Sequence, residues 1–153
     1  MPLPDISNLT DHTGYWLRVV SNAVSVAFAR KLAERGVTVA EWVFVRMLFE
    51  AEASPTALAD RMGMTRGAIS KLADRLLVKG LLARAGHATD GRGQVLSLTP
   101  EGQRLVPVLA GLADANDAAF FGVLTAEERG MLDHLLQDLV ARRGLGSMPL
   151  DGH

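Results

Sequence analysis

Six positions, Thr65, Arg66, Gly67, Ser70, Lys71 and Arg75, gather basic and small polar residues at a spacing that one helix face can present together. The chemistry open to such a set is recognition of a polyanion. Arginine and lysine read guanine edges or neutralise phosphate, serine and threonine do either more weakly, and a glycine leaves room for a close backbone approach. The same set would also suit the solvated face of an ordinary amphipathic helix. Two features weigh against that plainer account: the face is basic, and it follows a sharp turn.

The elements that must position this face can be read on either side of it. Ile69, Leu72, Ala73 and Leu76 fall at i, i+3, i+4 and i+7, the apolar side of the same helix, and Thr65 is placed to cap its N-terminus. Upstream, Ala59 is small where two helices would cross, Gly63 sits where the chain must turn, and Ile69 plugs the angle between them. This is the pattern of a helix-turn-helix. Downstream, Leu81, Leu82 and Ala83 begin a strand, Gly86, Gly91 and Gly93 punctuate a turn, and Val95 to Leu98 return as a second strand. A hairpin attached to a helix-turn-helix makes a winged helix. Arg84 on its first strand, with Asp90 and Arg92 at its tip, completes the candidate DNA-contacting set.

At this stretch the chain resembles the MarR family (multiple antibiotic resistance regulators). The family's wing pattern stands here as Asp90, Arg92, Leu96, Leu98 and Thr99, followed by Pro100, Glu101 and Gly102. Asp74, Arg75 and Leu76, with Lys79, Gly80, Leu81 and Leu82 after them, match a second family segment, and the resemblance extends from about Gly14 to Arg142. It implies a dimeric transcription regulator, with the terminal helices in the dimer interface and a ligand pocket between them and the winged helix. Some members sense oxidants through a cysteine, which this chain lacks. Several bind aromatic acids. On that basis Trp16 and Trp42 are candidates for an apolar pocket wall, and Arg18 and Arg46 for meeting a carboxylate.

Charge distribution carries more information than the total. The 153 residues sum to a net −1, but from Arg61 to Arg92 seven bases face two acids, a balance of +5. From Glu101 to Asp138 two bases face seven acids, a balance of −5. A segregated basic block is the electrostatic footprint of a nucleic-acid-binding element. With no cysteine, disulfides and thiolate metal sites are excluded. The N-terminus lacks the basic and apolar regions of a signal peptide, and no apolar run is long enough to span a membrane, so a cytoplasmic protein with no membrane partner is expected.

The remainder of the chain reads as helices with well-marked ends. A loose arm to about Asp11 should lead into a helix from about Thr13 to Arg35, closed by Gly36. Trp16, Val19, Val20, Ala23, Val24, Ala27 and Phe28 cover too much of its circumference for one buried stripe, which suggests burial against a partner subunit as well. Thr38 with Glu41, and Thr125 with Glu128, have capping-box spacing; Ser54-Pro55 and Thr99-Pro100 pair a cap with an N1 proline. A helix from Pro100 to about Phe121 contains Pro107, expected to kink it, and a final helix carries Met131, Leu132, Leu135, Leu136, Leu139 and Val140.

The expected fold is mostly α with a small β-hairpin wing. Residues 1–36 form an arm and first dimerisation helix, 37–99 the winged helix-turn-helix domain, 100–143 the C-terminal dimerisation helices, and 144–153 a tail. The expected function is a sequence-specific, ligand-responsive repressor that binds a pseudo-palindromic operator as a homodimer. Its partners are double-stranded DNA, itself, and a small aromatic or anionic effector. The competing reading is a small α-helical enzyme or metal-binding protein with an incidental helical hairpin. His134 and Asp138 have i, i+4 spacing that would suit a metal, but no third ligand lies near in sequence. No nucleophile elbow, paired-carboxylate motif or phosphate-binding glycine loop is present. No catalytic residue, metal or cofactor is therefore expected.

Overall fold

The computed structural model describes residues 1–86 and 93–146. Six helices and one hairpin follow in the order α1 (Thr13–Ala33), α2 (Val39–Glu50), α3 (Pro55–Met62), α4 (Arg66–Val78), β1 (Leu82–Ala85), β2 (Val95–Leu98), α5 (Pro100–Phe121) and α6 (Ala126–Arg143). Among the described residues no single helix is long and apolar enough to cross a membrane.

Most boundaries are set by local chemistry. Thr38 and Glu41 exchange side-chain-to-backbone hydrogen bonds at 2.9 and 3.1 Å, and Thr125 and Glu128 do the same at the start of α6. These reciprocal bonds satisfy amides that a helix leaves unpaired at its N-terminus. Ser54, Thr65 and Thr99 each accept from the backbone amide three residues on. Gly36 and Gly63 take positive φ, at 71° and 65°, where the chain leaves α1 and α3. A side chain at either position would strain the backbone.

One local feature departs from the sequence reading. The arm is not wholly loose: Leu9–Asp11 form a 3-10 turn, and the indole Nε1 of Trp16 donates to the Thr10 carbonyl at 2.9 Å. Helix α5 runs uninterrupted through Pro107. The proline removes one backbone donor there but does not end the helix.

The core belongs to the winged helix. Phe44, Val45 and Leu48 of α2, Leu58, Ala59 and Met62 of α3, and Ile69, Leu72, Ala73 and Leu76 of α4 are all buried, with Leu82, Leu96, Val106 and Leu109 closing the cluster. The hairpin pairs Leu82 with Leu98 through to Ala85 with Val95, antiparallel. Ala53 adds a single bridge to Leu96, so the sheet reaches back to the loop before α3. Helix α1, by contrast, buries only Leu32 completely, and α6 buries no residue fully.

Gly102 shows why the junction between wing and α5 is tight. A Cβ there would collide with the backbone carbonyl oxygen of Leu81. Thr99 ties the same corner: its hydroxyl donates to Gly80 O at 2.7 Å and accepts from the Gly102 amide at 3.1 Å. The two interactions fix α5 against the start of the hairpin, and so fix the wing relative to the long helix.

Candidate nucleic-acid interface

Helix α4 divides sharply into two faces. Ile69, Leu72, Ala73 and Leu76 are buried, while Thr65, Arg66, Gly67, Ser70, Lys71 and Arg75 are exposed. Thr65 uses its hydroxyl oxygen to accept from the Ala68 amide at 3.1 Å, which pins the helix start. A Cβ on Gly67 would meet only the Thr65 hydroxyl oxygen, at an ordinary contact distance of 4.0 Å. Arg66, Lys71 and Arg75 form no ion pair among the described residues. Helix α4 has no acidic residue in its first turn and Arg66 at its first position. A cation there opposes the helix dipole, so the fold gains nothing from it.

Arg84 has a different setting. Its Nη2 lies 3.3 Å from Asp74 Oδ1, so it straps the first wing strand to the exposed side of α4. Asp90 and Arg92, the two wing-tip residues, lie outside the described residues. In the basic block, Lys79 is engaged by a buried carboxylate. Its Nζ donates to both oxygens of Glu41, at 3.0 and 2.7 Å, and to Gly36 O at 2.6 Å. Glu41 is only 1% exposed. Burial pushes its carboxyl up, but the Lys79 hydrogen bond and charge and the bonds from Thr38 outweigh that and hold it below the usual carboxylate value.

A cavity of about 730 Å³ lies among α1, α2, α5 and α6. Trp42 lines it, edge-on to Phe28 with ring centroids 6.4 Å apart. Trp16, Arg18 and Arg46, the other residues expected around a pocket, are not in its wall. Trp16 is held on Thr10, and Arg46 pairs with Glu50 at 3.2 Å and lies over the Phe49 ring. An arginine four residues before a glutamate on one helix has a local partner, and this geometry directs Arg46 along the surface of α2. The polar lining is instead Ser21, Ser25, Asp114, Asn116 and Asp117. The sequence reading did not single out these residues.

His134 Nε2 stands 3.3 Å from Asp138 Oδ2, with Arg142 on the same carboxylate oxygen at 3.5 Å. Among the described residues no group of three or more metal-ligating side chains comes together.

Comparison with known proteins agrees with this geometry. Residues 35–93 match the model of the MarR family. The HTH-type transcriptional repressor MdtR of Bacillus subtilis is 30% identical over 125 residues, covering 80% of this chain and 80% of MdtR. A mutant MarR from Escherichia coli complexed with operator DNA superposes with a TM-score of 0.74 at 23% identity, over 90% of this chain and 99% of that one. BpsR of Bordetella bronchiseptica, whose DNA binding is regulated by 6-hydroxynicotinic acid, gives 0.75 at 23% identity over 89% and 99%. At these identities the two structures establish the fold. The repressor relative points to a transcriptional regulator. The buried and basic faces of α4, the hairpin behind it and the family match converge: this chain belongs to the MarR family and is a winged helix-turn-helix transcriptional regulator.

Proposed function

We propose that the protein is a ligand-responsive repressor that binds a pseudo-palindromic operator as a homodimer. The observation that carries this reading is the division of α4. One face is locked into the core, while the other exposes Arg66, Lys71 and Arg75 with no counter-charge among the described residues. Residues 37–99 act as the DNA-binding domain. Residues 1–36 and 100–143 supply the dimer interface; of the expected tail, 144–153, residues 147–153 lie outside the described residues.

In this reading α4 lies in the major groove, with Thr65, Arg66, Gly67, Ser70 and Lys71 near base edges and Arg75 toward phosphate. The wing reaches the adjacent minor groove, where Arg92 meets its enhanced negative potential and Asp90 orients the loop. Arg84 steadies the wing through Asp74. The dimer reading is supported by the apolar surface left on α1 and α6. Trp16, Leu17, Met131, Leu135 and Leu139 are each at least half exposed in the single chain. Patches of that kind on a soluble protein mark interaction surfaces.

The effector site in this reading is the cavity beneath α2. Trp42 and Val43 line it, and Glu41, one residue before Trp42, is bonded to Lys79 at the C-terminal cap of α4. An occupant that displaces α2 therefore acts directly on the anchor of the recognition helix. The relative BpsR, which responds to a small molecule, supports a response of this type.

A gel shift with the DNA upstream of the protein's own gene, repeated across salt concentrations, tests the reading. A sequence-selective shift that weakens steeply with salt supports it. Equal retention of unrelated DNA, or none at all, rejects it.

A further inference from the structure

We infer that the cavity takes a lipophilic cation, an aromatic or polycyclic amine or quaternary ammonium, with Asp114 as its counter-charge. The inference rests on the ligand-responsive reading above and gives the effector a chemical class.

Three observations carry it. First, among the described residues no Lys, Arg or His contributes to the cavity wall, whereas two carboxylates, Asp114 and Asp117, do. Second, the polar lining differs in what remains free. Asn116 is buried and already committed: its Oδ1 accepts from Lys31 Nζ at 3.0 Å and its Nδ2 donates to Val24 O at 3.3 Å. Asp117 is held by Arg129 Nη2 at 2.8 Å. Asp114 has no hydrogen-bond or ion-pair partner among the described residues. Third, three aromatic rings, Phe28, Trp42 and Phe121, stand among the Leu, Val and Ala side chains of the apolar wall, with Arg129 already lying over the Phe121 ring at 4.8 Å. Ring faces attract cations through their quadrupole, and tryptophan does so best.

An aromatic carboxylate would find the opposite surroundings. Its charge would face Asp114 and Asp117, with the Ser21 and Ser25 hydroxyls and the Trp42 indole N–H as neutral donors without a hydrogen-bond acceptor among the described residues. Lys31 and Arg129 touch lining residues but do not themselves line the space. The volume is within the roughly 300–1,000 Å³ of pockets that hold drug-sized molecules. A flat apolar body between the aromatic side chains, with its cationic end toward α5, meets both demands of the site.

The test uses three probes that share one apolar body: (2-naphthylmethyl)trimethylammonium, 2-naphthalenemethanol and 2-naphthoate. Each is titrated calorimetrically into the full-length protein and into Asp114→Asn, and each is added to the gel shift. The ammonium should bind about tenfold more tightly than the alcohol, and the naphthoate most weakly. Asp114→Asn should remove most of that preference for the ammonium while leaving the affinity for the alcohol unchanged. The ammonium should also release DNA from the wild-type protein. Tightest binding by naphthoate, an ammonium affinity untouched by Asp114→Asn, or no binding by any probe overturns the inference. Release of DNA by naphthoate alone would overturn the cation while leaving the ligand-responsive reading standing. Failure of the unliganded protein to bind DNA selectively would instead strike that reading.

Discussion

Lys79 and Glu41 lie 38 residues apart in sequence and meet through two hydrogen bonds of 2.7 and 3.0 Å. The pair joins the first turn of α2 to the cap that ends α4, and Lys79 adds a third bond to Gly36 O in the turn after α1. Three segments thus share one ammonium group. Replacing Lys79 by alanine would leave a buried carboxylate without its counter-charge. The expected cost is about 3 kcal/mol, at the low end for a broken buried pair because the Lys79 side chain is 37% exposed. Denaturant unfolding of Lys79→Ala measures it.

The same pair sets a pH dependence. Glu41 titrates below the ordinary value of 4.5 in the folded protein, so the unfolded chain takes up the proton first. Its stabilising contribution is therefore complete above that ordinary value and is lost as the pH falls through the lower folded one. In Lys79→Ala, burial acts on Glu41 with the lysine's opposition removed, and the slope contributed by this group shrinks or reverses. Stability measured against pH in the two proteins should show that difference on the acid side. Identical slopes would mean that the pair does not control the carboxyl.

Gly102→Ala should destabilise by about 1–3 kcal/mol, because the added methyl meets backbone at Leu81, which cannot rotate away. Gly67→Ala, placed on the open face of α4, should not destabilise, since alanine favours a helix interior over glycine by up to ~1 kcal/mol. Thermal melts of the two variants separate a packing glycine from a surface one. Weaker DNA binding by a stably folded Gly67→Ala would then speak for close backbone approach to DNA.

Arg66 offers a trade between stability and recognition. Arg66→Glu complements the positive end of the α4 dipole and should raise stability by about 0.3–1 kcal/mol while abolishing DNA binding. Arg66→Ala should relax preference at particular base pairs, at about 1–3 kcal/mol if its contact is bidentate. Arg92→Ala should weaken binding to all sites and flatten the salt dependence. Affinities on matched and mismatched DNA at several salt concentrations check the division of labour. Uniform loss in Arg66→Ala with selective loss in Arg92→Ala would reverse it.

What the sequence disclosed was mainly what is local. Thr38, Ser54, Thr65, Thr99 and Thr125 bond to amides three residues away, and Gly36 and Gly63 mark turns by their own conformational needs. Such features are legible because cause and effect lie within one turn of chain. The buried face of α4 was legible for the same reason, through its period. The role of Lys79 was not, since its partner Glu41 comes from another helix and a lysine in a basic run looks like every other lysine. The cavity was hidden for a related reason. Ser21, Ser25, Asp114 and Asn116 come from two helices about 90 residues apart, and only the packing of α5 on α1 brings them together. The Arg46–Glu50 pair, by contrast, lies within one helix at i, i+4 spacing.

The central claim is that two copies of this chain read a symmetric DNA sequence through α4. Selection of bound sequences from a random duplex pool, at physiological salt and with the oligomeric state measured by sedimentation in the same buffer, tests it most directly. The account predicts a dimer and an enriched pseudo-palindrome whose half-sites are centred about 10 bp, one helical turn, apart. A stable monomer that binds fully, or a pool that emerges without an enriched symmetric sequence, would contradict it.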